Sequence, residues 1–278
     1  MAHENGRNIS SLDPALGAPL PAGVARYGNL ADEIGDDDPL TVAIRPLLYR
    51  MYVSAQILRL GTEARYSALV FLHRYVCAIH RRTGTQERPS QWVAAACLFL
   101  ATKSEEEPRR LRDMVNLSQM ILDPKVDQLC DATVINLDIA PPLLDEAYWE
   151  TKKKLVESEQ AVLRWLGFDT LVPHPHRAVA LLLRHLPWQQ QHHLAEIAAR
   201  RLNDGLFYGP ALQHDVLELA CAAIELGLPE VEEGEKVLVQ GWWKKYGVTD
   251  EKLQLSMRDL RTATNVLERC KGDEALTT

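Results

Sequence analysis

The chain has 278 residues, 46% hydrophobic and 25% charged, a balance that suits an ordinary globular protein of roughly two domains. Its 31 basic residues stand against 38 acidic ones, a net charge of -7, so counterion release has no large basic surface with which to drive nucleic-acid binding. The cysteines Cys77, Cys97, Cys130, Cys221 and Cys270 are odd in number and form no C-x-x-C, which argues for a reducing compartment and against a zinc ribbon or disulfide framework. No basic run followed by an apolar stretch opens the sequence, so no secretory signal is expected, and no segment is long and apolar enough to cross a membrane.

Residues 1–40 are rich in Ala, Pro, Gly, Asn and Asp, lack apolar periodicity, and are predicted to form a flexible tail. Ile44, Leu47, Leu48, Met51, Ala55 and Leu58 then recur at three- and four-residue spacing, the stripe of a first amphipathic helix that Gly61 stops. Thr62 is the expected cap of a second helix carrying Ala64, Ala68, Phe71, Leu72, Tyr75, Val76 and Ile79. The third, PSQWVAAACLFLATK, has no charge from Trp92 to Thr102 and is apolar on every side. Such a helix must be enclosed by other helices, which makes it the predicted hub. A fourth begins near Pro108 and runs through RRLRDMVNL. Residues 118–146 break the helical rhythm and read as an insertion, with Ile135, Leu137 and Ile139 alternating as in a short strand or an extended loop. After Asp145, a candidate N-cap, helical spacing resumes at Tyr148, Leu155, Val156, Val162, Leu163 and Leu166.

GFDTLVPHP at 167–175 is a connector. Further helices are predicted over 175–186, 189–206 and 211–227, then a short aromatic piece at Trp242 and Trp243, then 249–269 after the candidate cap Thr249. The predicted fold is all-α, two consecutive bundles of about five helices each, over 41–168 and 173–270, with a short tail at 271–278.

Two charged residues stand out. Lys103 leaves the hub on the face of Trp92, Ala96 and Phe99, its stem in the core and its ammonium reaching outward. Glu159 lies in an apolar arc between Leu155 and Leu163, where an ionised carboxylate is costly unless paired or hydrogen-bonded. Each has two readings: Lys103 complements its own helix dipole or serves a partner, and Glu159 pairs locally with Lys152 or Arg164 or faces another element. His174 and His176, with His185 nearby, lack the third and fourth partners of a metal and read as structural histidines at a domain junction. Trp242 and Trp243 cannot both face one core, so one is expected to pack and the other to lie at the surface. Arg109, Arg110 and Arg112 are a solvated face or meet an acidic or phosphorylated segment. No G-x-x-x-x-G-K-[ST], G-x-S-x-G or H-E-x-x-H occurs, so no catalytic residue, cofactor or metal is expected.

FLATKSEEEPRRLRDMVNL resembles the end of the third helix and the fourth helix of a first cyclin box, as in cyclin L. ESEQAVLRWLGF resembles the fifth helix with its L-G-F exit, and VPHPHRAVALLL resembles the start of the second box in cyclins of types T, L, K and Q. LDEAYWE and GWWKKYGVTDEKL look most like cyclin Q, also called cyclin M. Over about residues 42–269 the chain therefore resembles a transcription-type cyclin.

The resemblance implies two cyclin boxes and a regulatory subunit that activates a cyclin-dependent kinase without catalysis of its own. The heterodimer would form through the first box, in the nucleus with the cytoplasm second, without membrane or direct nucleic-acid contact. The implied partner is that of cyclin Q, cyclin-dependent kinase ten, or a related transcription-associated kinase. The alternative is an L-, K- or T-like subunit acting in RNA polymerase II transcription with another kinase. In family terms Lys103 matches the box lysine and Glu159 the fifth-helix glutamate, which together contact the kinase near its αC helix, and Glu105, Glu106, Arg109 and Arg110 are further candidate contacts. One departure is IRPLLYRMYVSAQIL, where Arg45 is only a shifted match to the substrate-docking patch of cell-cycle cyclins, so that patch is not expected. A TFIIB-like factor also has two such repeats, but it predicts basic repeats and a zinc ribbon, which the net charge and the cysteine spacing argue against.

Overall fold

Apolar stripes at helical spacing become nine α-helices, and no strand, among the residues that the computed structural model describes: 39–83, 89–122, 146–185, 188–230 and 240–275. The first bundle holds α1 (Pro39–Ile57), α2 (Thr62–Thr83), α3 (Gln91–Ser104), α4 (Leu111–Leu122) and α5 (Glu146–Trp165). The second holds α6 (Pro175–Leu182), α7 (Trp188–Gly205), α8 (Val216–Gly227) and α9 (Asp250–Ala275), with short 3-10 turns at Leu183–His185, Gly209–Gln213, Leu228–Glu230 and Trp242–Tyr246. The all-α architecture is as expected.

Helix boundaries shift where side chains outside the helix compete for its ends. α4 starts at Leu111 and not at Pro108, because the Arg110 carbonyl accepts the amides of Asp113 and Met114 while the Arg109 side chain is turned back toward α1. It also continues to Leu122, into the stretch read as an insertion. α8 starts at Val216 and not at 211, because Asp215 and Glu218 form a capping box: the Asp215 side chain accepts from the Leu217 amide, and Glu218 accepts from the Asp215 amide. α1 begins at Pro39, just inside the stretch expected to be tail, and α9 runs on to Ala275. The rest of the tail, the alternation at Ile135 to Ile139 and the candidate cap Asp145 lie outside the described residues.

α3 is the hub that its composition required. Every residue from Val93 to Thr102 is buried, and α1, α2, α4 and α5 all pack against it. Its alanines, Ala94, Ala95, Ala96 and Ala101, let four neighbours approach one axis. α8 plays the same part in the second bundle, enclosed by α6, α7 and α9. At its end Gly227 lies so close to α7 that a Cβ there would sit 2.9 Å from Leu194 and 3.0 Å from Ile197.

Two apolar cores result, and the boundary between them does not follow the connector. Leu206, Phe207 and Leu267, from the second half of the chain, belong to the first core alongside Leu48, Met51, Phe71, Leu98 and Leu155. The Phe207 ring centroid is 6.5 Å from that of Tyr49 and 6.0 Å from that of Tyr52, both on α1. The second core is centred on Val179, Leu183, Leu202, Ile224, Leu253 and Leu260. Among the described residues no helix is long and apolar enough to cross a membrane.

Candidate partner-binding site

The last turn of α3 carries Lys103 to the surface, and the middle of α5 brings Glu159 to meet it: Lys103 Nζ lies 2.5 Å from Glu159 Oε1. The two sides of this pair differ, since the lysine side chain is 46% exposed and the glutamate side chain only 11%. The ammonium also stands 3.9 Å above the Phe99 ring centroid, a cation–π contact one turn back along α3. The local alternatives for Glu159 are otherwise engaged, Arg164 donating to Gln160 and Lys152 lying over the Trp149 ring. An ammonium has three N–H donors. With one directed at Glu159, the half-exposed Lys103 keeps donor capacity toward anything that covers this surface.

Beyond the end of α5 the chain presents apolar surface. Phe168 is 70% and Leu171 64% exposed. The Phe168 amide donates to the Leu163 carbonyl and the Leu166 amide to Val162, closing the helix with Gly167 and Phe168 both at φ 62°. Glycine takes this left-handed conformation freely, whereas a bulky L-residue there is strained by about 1–3 kcal/mol. A strained aromatic left in water gains nothing for the isolated chain, and a surface that another molecule covers is one that would recover it. The L-G-F exit is legible in the sequence, but its letters say nothing of where the ring points, and Phe168 was not among the expected contacts.

The candidate contacts in SEEEPRR divide into two groups. Glu105 Oε1 accepts from Ser67 Oγ at 2.6 Å and lies 3.1 Å from His174 Nε2. Arg109 donates to the carbonyls of Leu58 (3.1 Å), Arg59 (3.1 Å) and Glu107 (3.2 Å). Both side chains are thus turned into the fold, while Glu106 and Arg110 are exposed. Glu107, which carried no expected role, accepts the Gly61 amide at 2.8 Å and so satisfies a free donor at the start of α2.

His174 and His176 do lie at the junction, their rings 5.7 and 5.2 Å from Tyr66 of α2. Trp242 is buried, with its Nε1–H donated to Glu225, and Trp243 is half-buried, with its Nε1–H donated to Asp250. Among the described residues no group of three or more His, Cys, Asp or Glu side chains is placed to hold a metal ion.

A largely apolar helix enclosed by four others in the first bundle, with a second enclosed by three in the next, is the architecture of paired cyclin boxes. Residues 32–171, half of the chain, match the family described as cyclin, N-terminal domain, and the protein belongs to the cyclin family. Its relatives include cyclin-L1 of Xenopus laevis, 27% identical over 205 residues covering 71% of this chain and 37% of that protein. Human cyclin-L2 is 32% identical over 162 residues, 58% of this chain and 29% of that one. Human cyclin-L1 is 28% identical over 221 residues, 79% and 39% of the respective chains. The chain therefore spans less than two-fifths of the length of these relatives, and the expected resemblance to cyclin L is borne out. In fold it matches a viral cyclin from herpesvirus saimiri with a TM-score of 0.57 at 16% identity, over 83% of this chain and 86% of that one. A chain of the yeast RNA Pol II CTD kinase CTDK-1 complex matches with a TM-score of 0.58 at 16% identity, over 86% and 69%.

Proposed function

We propose that this cyclin is the regulatory subunit of a cyclin-dependent serine/threonine kinase and contributes no catalytic group of its own. The kinase would seat on the surface formed by Lys103, Glu159 and the exposed Phe168, with Glu106 and Arg110 at the rim. The observation that carries this reading is the Lys103–Glu159 pair, a half-exposed donor set against a buried carboxylate at the edge of the hub helix. A structure that shares the fold is by name part of a kinase assembly, the yeast RNA Pol II CTD kinase CTDK-1 complex.

The action follows from kinase chemistry. Phosphoryl transfer needs the αC glutamate paired with the strand lysine that holds the ATP phosphates. A subunit that binds the paired form more tightly shifts the kinase toward it, and moving from 1:99 to 99:1 requires about 5.5 kcal/mol of differential binding. The finer reading is a cyclin-Q-like subunit of cyclin-dependent kinase ten, working in the nucleus. The relatives favour as alternative a cyclin-L-like subunit serving RNA polymerase II transcription with another kinase.

Affinity purification from cells, followed by identification of the bound kinase, separates these readings. With that kinase in hand, Lys103→Ala and Glu159→Ala are each expected to weaken binding by about 2–5 kcal/mol. Arg200→Ala, on the exposed face of α7, should leave it unchanged. Failure to recover any kinase, or unchanged affinity in both variants once corrected for the folded fraction, overturns the proposal.

A further inference from the structure

Among the described residues, polar links cross the joint between the bundles at His73, His174 and Arg177. His73, on α2, is buried and its Nε2 lies 2.8 Å from the Leu206 carbonyl, so the ring donates there. That carbonyl opens the Leu206–Phe207 segment that plugs the first core. His174 faces Glu105 across the joint, and Arg177 makes a two-pronged contact with Glu63, Nε to Oε1 at 2.5 Å and Nη2 to Oε2 at 2.6 Å. Next to these, His176 Nε2 pairs with Asn203 Oδ1 at 3.2 Å, its ring also faces the Ala199 carbonyl, and the buried Nδ1 of His174 has no protein partner.

The charged and titratable groups around these rings come from every element at the joint. α2 contributes Glu63, Tyr66 and Arg74, the end of α3 contributes Glu105, and α6 contributes Arg177, while α7 offers His176 the neutral amide of Asn203 and the Ala199 carbonyl. His214 lines the groove beside Tyr66 and Arg74, its own Nε2 held by Asp259 at 2.8 Å. Glu63 is engaged by Arg177 and Glu105 by Ser67 and His174. The hydrogen-bond acceptors for His73 and His176 are thus the Leu206 carbonyl for the one and the Asn203 amide oxygen and Ala199 carbonyl for the other, none of which carries a charge.

We propose that this joint is a proton-responsive coupling, in which proton uptake at His73 and His176 loosens the second bundle from the first while each bundle stays folded. His73, buried, and His176, half-buried, face uncharged acceptors and have no anion bonded to them to stabilise an imidazolium, whereas both gain water once the joint opens. Burial holds His73 at about 4, opposed only in part by the Leu206 carbonyl, and it holds His176 at about 4 with help from the neighbouring His174. His174 is lowered by burial as well, with Glu105 pulling the other way.

The closed form therefore binds fewer protons than the open one. Its stability is full above the ordinary histidine value of about 6.5 and falls as pH drops toward 4. At pH 5 a histidine shifted from about 6.5 to about 4 favours the open form by a factor of about 30. The bundles themselves are held by apolar cores. Burial alone would raise Asp259, but hydrogen bonds from His214 and Arg258 keep it below its ordinary value.

The test is hydrogen exchange on the full chain at pH 7.5, 6 and 5, corrected for the intrinsic pH dependence. Leu206, Phe207 and Tyr208, whose amides bond to the carbonyls of Asn203, Asp204 and Gly205, should lose protection about tenfold or more at pH 5 while α3 and α8 keep theirs. His73→Gln can still donate to the Leu206 carbonyl without titrating, and His176→Asn likewise removes the charge change. Each should reduce the acid response, and together they should abolish it. Unchanged protection at 206–208 in the parent chain, parallel loss in the hub helices, or an undiminished response in the double variant overturns the proposal. If the variants fail to fold, the comparison of joint with hub in the parent chain decides.

Discussion

Lys103 and Glu159 depend on each other unequally. Lys103→Ala strands a buried carboxylate, and leaving such a group unpaired costs about 1–3 kcal/mol. Glu159→Ala leaves an ammonium that is already half in water and still over the Phe99 ring, so its effect should stay within about 1 kcal/mol. Urea unfolding of the free chain measures both, and a larger loss for Glu159→Ala would contradict this assignment of the buried partner. The sequence marks both residues, one as a charge leaving the hub and the other as a charge in an apolar arc. It does not show that they are partners, because 56 positions separate them and local pattern reaches only about one helical turn. Glu105 is hidden for the same reason, with partners 38 and 69 positions away in Ser67 and His174.

At the scale of elements, the turn after α3 acts as a clasp on the α1–α2 corner. Glu107 takes the Gly61 amide, and Arg109 takes the carbonyls of Leu58 and Arg59 that α1 leaves free. Thr62 was expected to cap α2, yet the Gly61 carbonyl accepts the Arg65 amide and Gly61 itself occupies the cap position. A Cβ there would push the Glu107 carboxylate off the Gly61 amide. Arg109→Ala should lower the thermal midpoint of the free chain by several degrees, in line with about 1–3 kcal/mol for carbonyls left without a donor. A variant that melts with the parent would show the clasp to be incidental. The start of α8 is legible in the sequence: Asp215 and Glu218 have the spacing of a capping box, whereas the apolar stripe alone runs back to Ala211. Asp215→Ala should cost about 1 kcal/mol by the same measurement.

At the scale of the whole molecule, the two hubs could be read from the letters because a helix without a polar face has few alternatives. The connection between the bundles could not. Gly205 to Tyr208 reads as a helix end and a loop, and apolar letters do not say which of two cores will receive them. The structure sends Phe207, 1% exposed, into the first core between Tyr49 and Tyr52, although it follows α7 of the second bundle. The first bundle is therefore completed by a side chain that the second supplies, and at neutral pH, where the joint is closed, the two should unfold together. Phe207→Ala opens a cavity at that contact and is expected to cost about 3–5 kcal/mol, the range for removing a buried aromatic side chain. It should also split the single denaturation transition in two, with aromatic signals of the first bundle changing at lower denaturant than those of Trp242 and Trp243 in the second. A loss below about 1 kcal/mol with one transition preserved would mean that the bundles are joined elsewhere, and the polar links at His73, His174 and Arg177 would then have to carry the coupling alone.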